Sequence, residues 1–225
     1  MLGTIANTSA VLAGSLLGVV AGKHIRNTLK ETLMKALGLA VVVIGAQMAL
    51  SAKGLIPSVA CLLLGAVTGE LMQIERGVEH LGERLKARFN SDSATFVQGF
   101  MSATLLFITG AMVIVGCIQD GTAGNPDTLL LKSMLDGVSS IALASTLGIG
   151  VVFSALSVFV VQGSLTLAAS HIAFLQEPAV LGLITTTGGM MILGIGINLL
   201  GLTAIRVGNL IPALLYAAIY PLIFT

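Results

Sequence analysis

Residues 137–225 carry only two charged side chains, Glu177 and Arg206. Four further stretches, 1–22, 36–52, 54–69 and 93–119, carry none. Each is close to the roughly 20 residues that a helix needs to cross the hydrocarbon of a bilayer. Only 9% of the side chains are charged and 56% are hydrophobic. A soluble domain has about 25% charged residues, so the usual water-solvated surface cannot be built from this inventory. In hydrocarbon every backbone N–H and C=O must be paired within the protein, which leaves helices or a closed barrel. The runs lack a sustained two-residue alternation and are rich in Leu, Ala and Gly, so helices are predicted. The expected fold is an all-α polytopic helical membrane protein, a single transmembrane domain over 1–225 whose first partner is the lipid bilayer. Cys61 and Cys117 lie inside apolar runs and read as small buried hydrophobes.

Charge placement sets the threading. The first run is followed by Lys23, His24, Arg26 and Lys30, the reverse of the charge order in a cleavable signal peptide, so it reads as a retained span. Short basic loops stay in the cytoplasm, which puts 23–35 and 75–88 inside and the N-terminus outside. Two spans fit between them, about 34–51 and 55–72, joined by a turn at Ala52-Lys53-Gly54. Residues 73–89, with Leu71 just before them, place Leu71, Ile74, Val78, Leu81, Leu85 and Phe89 at spacings of three and four among seven charged side chains. That pattern predicts an amphipathic helix on the cytoplasmic membrane surface or on the inner face of the protein. A fourth span over 96–118 returns the chain outside, where Gly121, Gly124 and Asn125-Pro126 signal a turn. Within 128–147, Lys132, Asp136 and Gly137-Val138-Ser139-Ser140 interrupt the apolar pattern, so this part reads as a broken or partly inserted helix. Further spans follow at 148–169, 181–202 and 210–224, with Tyr216 and Tyr220 as interfacial anchors. The count is seven spans, with an eighth or a re-entrant segment depending on 128–147.

Two parts of the chain echo each other. Gly54-Leu55-Ile56-Pro57-Ser58-Val59-Ala60 is echoed by Gly208-Asn209-Leu210-Ile211-Pro212-Ala213-Leu214, Gly45-Ala46-Gln47 by Gly196-Ile197-Asn198, and Gly3-Thr4-Ile5 by Gly148-Ile149-Gly150. The order is the same throughout, which suggests two three-span repeats over 3–72 and 148–224, with 96–147 connecting them. If 128–147 crosses fully the second copy is inverted; if it only dips in, the copies are parallel. Arg206 favours the inverted case, since that case places its loop in the cytoplasm.

Polar groups in the membrane must find partners or a water-filled cavity. Asp136, with Gly137, Ser139 and Ser140 after it, could bind a cation, relay a proton or hold a polar solute at an unwound helix; it could equally cap a helix beginning at Val138 near the outer interface. Asn7, Gln47, Ser154, Gln162 and Asn198 are amides or hydroxyls within apolar spans, suited to bonds between helices or to solute contact. Gln47 and Asn198 occupy matching repeat positions and could face a central site. Thr185, Thr186 and Thr187 can bond back to their own helix, and Glu70, Glu75, Arg76 and Glu177 read as interfacial charges. No metal-ligand spacing, nucleophile with a base, or nucleotide fingerprint is present, so neither an enzyme nor a metal or other cofactor is expected, and nothing points to nucleic acid.

Gly3-Thr4-Ile5-Ala6-Asn7, Ala36-Leu37-Gly38-Leu39-Ala40 with Val43-Ile44-Gly45, Ile118-Gln119-Asp120-Gly121, the run from Thr146 to Ser154, Gln162-Gly163 and Gly194-Ile195-Gly196-Ile197-Asn198-Leu199-Leu200 together resemble the bacterial YqgA/YdfK family, domain-of-unknown-function family 554. The resemblance covers nearly the whole chain. It implies an inner-membrane protein with a transport role, and brings no substrate or catalytic residue with it. The leading expectation is therefore a transporter of a small polar solute or ion, a homo-oligomer, with Asp136, Ser139, Ser140, Gln47 and Asn198 lining the path. A scaffold or regulator acting through the amphipathic helix, or a channel, are the alternatives.

Overall fold

A computed structural model describes residues 1–23, 26–51, 55–89, 93–109 and 111–224. The turn expected at Ala52-Lys53-Gly54 lies outside the described residues. The described residues are helical and contain no strand: α1 (Leu2–Gly22), α2 (Asn27–Ala49), α3 (Leu55–Met72), α4 (Ile74–Arg88), α5 (Phe96–Ile108), α6 (Ala111–Thr122), α7 (Asp127–Leu147), α8 (Ser154–Leu167), α9 (Pro178–Leu200) and α10 (Pro212–Phe224), with 3-10 turns at Gly148–Phe153, Ala173–Gln176 and Val207–Leu210. Five of these stretches are long and apolar enough to cross a bilayer, counting Asp127–Leu167 once, and α5 with α6 would make a sixth. The chain is an all-α polytopic membrane protein.

Two compact units form. Unit 1 comprises Met1–Lys35, Glu79–Ile108 and Met112–Ala173, and unit 2 comprises Ala36–Val78, Thr109–Ala111 and Phe174–Thr225.

In unit 1, α1 runs beside α7 in the same direction. Gly3 meets Leu129, Gly14 meets Gly137 and Ser140, Gly18 meets Ile141, and Gly22 meets Ser145. A Cβ at Gly14, Gly18 or Gly22 would collide with the carbonyl oxygen of Gly137, Ile141 or Ser145 respectively, so the two backbones are in direct contact along this seam. Against α8, α1 runs the opposite way, since Thr4 bonds Thr166 and Asn7 bonds Gln162. The 41 residues of Asp127–Leu167 therefore fold back on themselves through Gly148–Phe153. Gly148, at φ 80, makes the reversal possible after α7.

Two sequence expectations change here. Residues 128–147 are not a broken segment; α7 is one unbroken helix of 21 residues. Its polar side chains pair with each other and with α1, and so have no need to interrupt the helix. The break falls instead within the span expected over 96–118, where α5 and α6 meet at a bend of 61° beside Thr109. Hydropathy registers apolar character and not continuity, so this break left no mark in the pattern. The expected turn after α6 does form: Gly124 has φ 65, and Asn125 Oδ1 accepts the Asp127 N–H at 2.9 Å.

In unit 2, α2 and α9 cross antiparallel on glycines. Gly38 meets Leu200 while Gly189 meets Ala49; Gly45 meets Gly189 and Leu193 while Gly196 meets Gly38 and Val42. Each contact has its mirror image when Gly38 is matched with Gly189, Val42 with Leu193, Gly45 with Gly196 and Ala49 with Leu200. The α3 and α10 pair is also antiparallel, with Gly65 on Ala213 and Gly69 on Asn209. At the joint between α3 and α4, Gln73 is left-handed at φ 53. The same joint holds a polar knot: Glu70 accepts from Arg206 (2.7 Å) and from Asn209 Nδ2 (2.6 Å), Asn209 Oδ1 accepts the Glu75 N–H (2.7 Å), and Glu75 Oε2 accepts the Gly208 N–H (2.5 Å). Glu70 and Glu75, read as interfacial charges, thus lie with Arg206 at one end of unit 2.

The amphipathic segment is α4. Its Gly82 lies against Val97 and Phe100, and Phe89, at its end, meets the Phe153 ring at 4.7 Å between centroids. Leu71 and Leu81 remain exposed.

Candidate functional site

Within unit 1, α1, α7 and α8 bring buried polar groups together. On α1, Thr4 and Asn7 are three residues apart; on α8, Gln162 and Thr166 are four apart; on α7, Lys132 and Asp136 are four apart. Helical spacing of three and four puts each pair on one face. All of these side chains are buried.

Asp136 Oδ2 accepts from Lys132 Nζ at 2.5 Å and from Asn7 Nδ2 at 3.0 Å. Asn7 Nδ2 also donates to Gln162 Oε1 at 3.2 Å. A carboxylate only accepts, so the Asn7 amide must turn its nitrogen to Asp136, and Gln162 must then offer its oxygen to that nitrogen. The orientation of both amides follows from the ion pair. It leaves Asn7 Oδ1 and Gln162 Nε2, both inside fully buried residues, without a hydrogen-bond partner among the described residues. An unpaired buried donor or acceptor costs about 1–3 kcal/mol.

Polar contacts continue toward the Met1 end. Thr4 and Thr166 share a hydrogen bond at 3.2 Å, and Asp120 Oδ2 accepts from the Gly3 N–H at 3.1 Å and pairs with the Met1 amine at 2.9 Å. The Cys117 thiol donates to the Gln162 carbonyl oxygen at 3.5 Å, a buried bond that fits its reading as a small core residue. Toward the Lys23 end, the glycine seam of α1 and α7 is closed. Beyond it lies a pocket of about 260 Å³, lined among others by Lys23, Ser93, Thr95, Ser145, Thr146 and Gly148. The polar cluster thus lies toward the Met1 end of α1, and this pocket at the Lys23 end of the seam, where Gly22 meets Ser145.

Of the residues singled out in the sequence, Asn7, Asp136 and Gln162 come together. Asp136 is mid-helix and caps nothing. Ser140 lies one turn further along α7 and donates to the Gly137 carbonyl at 2.8 Å, and Ser139 is partly buried on the same helix. Ser154, at the start of α8, donates to the Val151 carbonyl at 2.7 Å. Gln47 and Asn198 belong to unit 2. Asn198 is occupied by a loop, donating to the Ile205 carbonyl (2.7 Å) and accepting its N–H (2.8 Å), while Gln47 is exposed on α2. Thr185 bonds back to Leu181, as expected, but the buried hydroxyls of Thr186 and Thr187 have no partner among the described residues. The sequence reading passed over Lys132, Thr4 and Thr166 as site residues. Their signal was present as the three- and four-residue spacings to Asp136, Asn7 and Gln162.

Helices of membrane-crossing length enclosing a buried, partly unpaired polar cluster define a polytopic membrane protein. Comparison with known proteins then narrows the class. The family model described as "Protein of unknown function (DUF554)" matches residues 2–222, and the chain belongs to that family. It is 33% identical over 96% of its length to the uncharacterized membrane protein YdfK of Bacillus subtilis, covering 93% of that protein. It is 29% identical, also over 96%, to the uncharacterized protein YqgA of Escherichia coli, covering 94% of it. No solved structure matches.

Proposed function

We propose that this protein moves a small polar solute or ion across the bacterial inner membrane, with Asn7, Lys132, Asp136 and Gln162 as its solute site. The observation that carries this reading is the pair of unpartnered amide atoms beside a buried ion pair. Stability does not account for the arrangement. A buried ion pair is often no better than a well-packed apolar pair, and a lysine placed four residues before its acid is the weaker order for helix stability. The closed seam between the cluster and the pocket at the Lys23 end fits a carrier with one side shut.

The topology we infer has eight traversals, with the N-terminus outside and the Lys23 end in the cytoplasm. Under this reading α1, α2 and α3 are counterparts of α8, α9 and α10, and the second set is inverted. Support comes from the antiparallel packing of all three counterpart pairs and from the mirrored glycine contacts of α2 and α9. Inverted repeats are a common framework for alternating access.

The test is uptake by reconstituted vesicles across a panel of solutes and ions, comparing the native protein with Asp136→Asn. Loss of at least one activity in the variant is expected; retention of every activity would remove Asp136 from the mechanism.

A further inference from the structure

Resting on the transport reading, we infer that the solute is uncharged and small, with an N–H or O–H beside a C=O: the chemistry of a primary amide or of urea. The site's charge is already balanced, because Lys132 and Asp136 neutralise each other. Two of its buried atoms have no partner among the described residues, the acceptor Asn7 Oδ1 and the donor Gln162 Nε2. A dehydrated cation needs several oxygen ligands, about six for Ca²⁺ or Mg²⁺, and the one carboxylate of the site is already held by Lys132 and Asn7. An anion needs several converging donors, and the one ammonium of the site is already paired with Asp136. A neutral amide answers both free atoms at once, its N–H donating to Asn7 Oδ1 and its carbonyl oxygen accepting from Gln162 Nε2.

Space beside the site is consistent with a small ligand. Gly163 follows Gln162 on α8 and is buried, yet a Cβ there would have only Met1 Cε as a neighbour, at 3.7 Å. Toward the Met1 end the polar contacts continue through the Thr4–Thr166 bond to Asp120. A neutral hydrogen-bonding molecule can move along such a series of groups by exchanging one partner for the next.

The experiment uses the full chain in liposomes. Influx of radiolabelled urea and acetamide is measured beside that of ²²Na⁺ and ³⁶Cl⁻, with osmotic water flux followed by light scattering. The expected result is amide influx well above protein-free vesicles, with both ions at background. Gln162→Met, which keeps the shape and removes the donor, should lower amide influx about tenfold, the effect of one lost hydrogen bond. Arg206→Gln, in unit 2, should leave influx unchanged, since its side chain is exposed. If Gln162→Met does not give monodisperse protein, Gln162→Glu, which replaces the donor by an acceptor, carries the same expectation. Ion flux without amide flux would overturn the inference and leave the transport reading standing, and water flux alone would do the same. Amide influx insensitive to Gln162 would overturn the site. Absence of every flux from monodisperse protein would remove the inference and the transport reading together.

Discussion

Units 1 and 2 are built from similar apolar helices but differ in what they bury. Unit 1 buries Asp120, Lys132 and Asp136, and links two of them to the amides of Asn7 and Gln162. Unit 2 buries no charge among its described residues. Its buried polar groups are the hydroxyls of Ser58, Thr109, Thr186 and Thr187 and the amide of Asn209, which is fully engaged with Glu70 and Glu75. The difference separates two tasks that a membrane protein must combine. Both units use glycine-to-backbone contact to hold helices at close range, but only unit 1 also accepts the electrostatic cost of a polar interior.

The sharpest way to break this contrast is to unbalance the unit 1 charge. Lys132→Met leaves Asp136 buried without its cation and should destabilise the protein by about 3–5 kcal/mol. Thermal unfolding in detergent and the yield of monodisperse protein report it. Adding Asp136→Leu to the same chain should recover most of that stability while transport stays lost. If the single variant unfolds no earlier than the native protein, the ion pair is reached by water and the cluster is not a buried site.

A smaller effect tests unit 2. A Cβ at Gly45 would meet Leu193 N at 2.5 Å, and one at Gly196 would meet Val42 N at 2.7 Å. Gly45→Ala and Gly196→Ala should each destabilise by about 1–3 kcal/mol, as overpacking does. Because the two contacts mirror each other, the two shifts should be similar. The double variant should fall short of their sum, since the first methyl parts the helices and makes room for the second. Shifts that differ severalfold would end the two-fold reading of the seam. Gly163→Ala in unit 1 supplies the contrast: its methyl would meet only Met1 Cε at ordinary contact distance, so its unfolding temperature should match or exceed the native value.

Much of this organisation was legible in the sequence, for a physical reason. Apolar runs fix where lipid-facing helices lie, and α1 (Leu2–Gly22), α3 (Leu55–Met72) and α9 (Pro178–Leu200) follow those runs closely. The alternation of charge and leucine around Val78 fixed α4 in the same way. α2 begins at Asn27, earlier than its apolar run, because Glu31 and Lys35 pair at 3.1 Å within the helix and allow it to extend past the hydrocarbon. What the sequence hid depends on partners far along the chain. Asp136 looked like a helix breaker until Asn7 was beside it, and Gln47 and Asn198 occupy matching positions in sequence but different surroundings. The loop after Gly201, at φ 73, returns Ile205 to the Asn198 amide, whereas Gln47 stays exposed.

The smallest expected effect comes from the ion pair of unit 2. Arg206 and Glu70 approach as closely as many buried pairs, at 2.7 Å, but their side chains are 62% and 57% exposed. Water already solvates both ions there, so pairing adds little, and Arg206→Gln should change stability by about 0–1 kcal/mol. The rest of the knot does not depend on this arginine, because Asn209 still bonds Glu70 and Glu75, and Glu75 still bonds Gly208. Unfolding temperatures measured at low and high salt check the point, since a screened surface pair should lose even that small contribution as salt rises. A loss as large as that of Lys132→Met would mean that Arg206 is shielded from water in the bilayer, and that unit 2 buries charge after all.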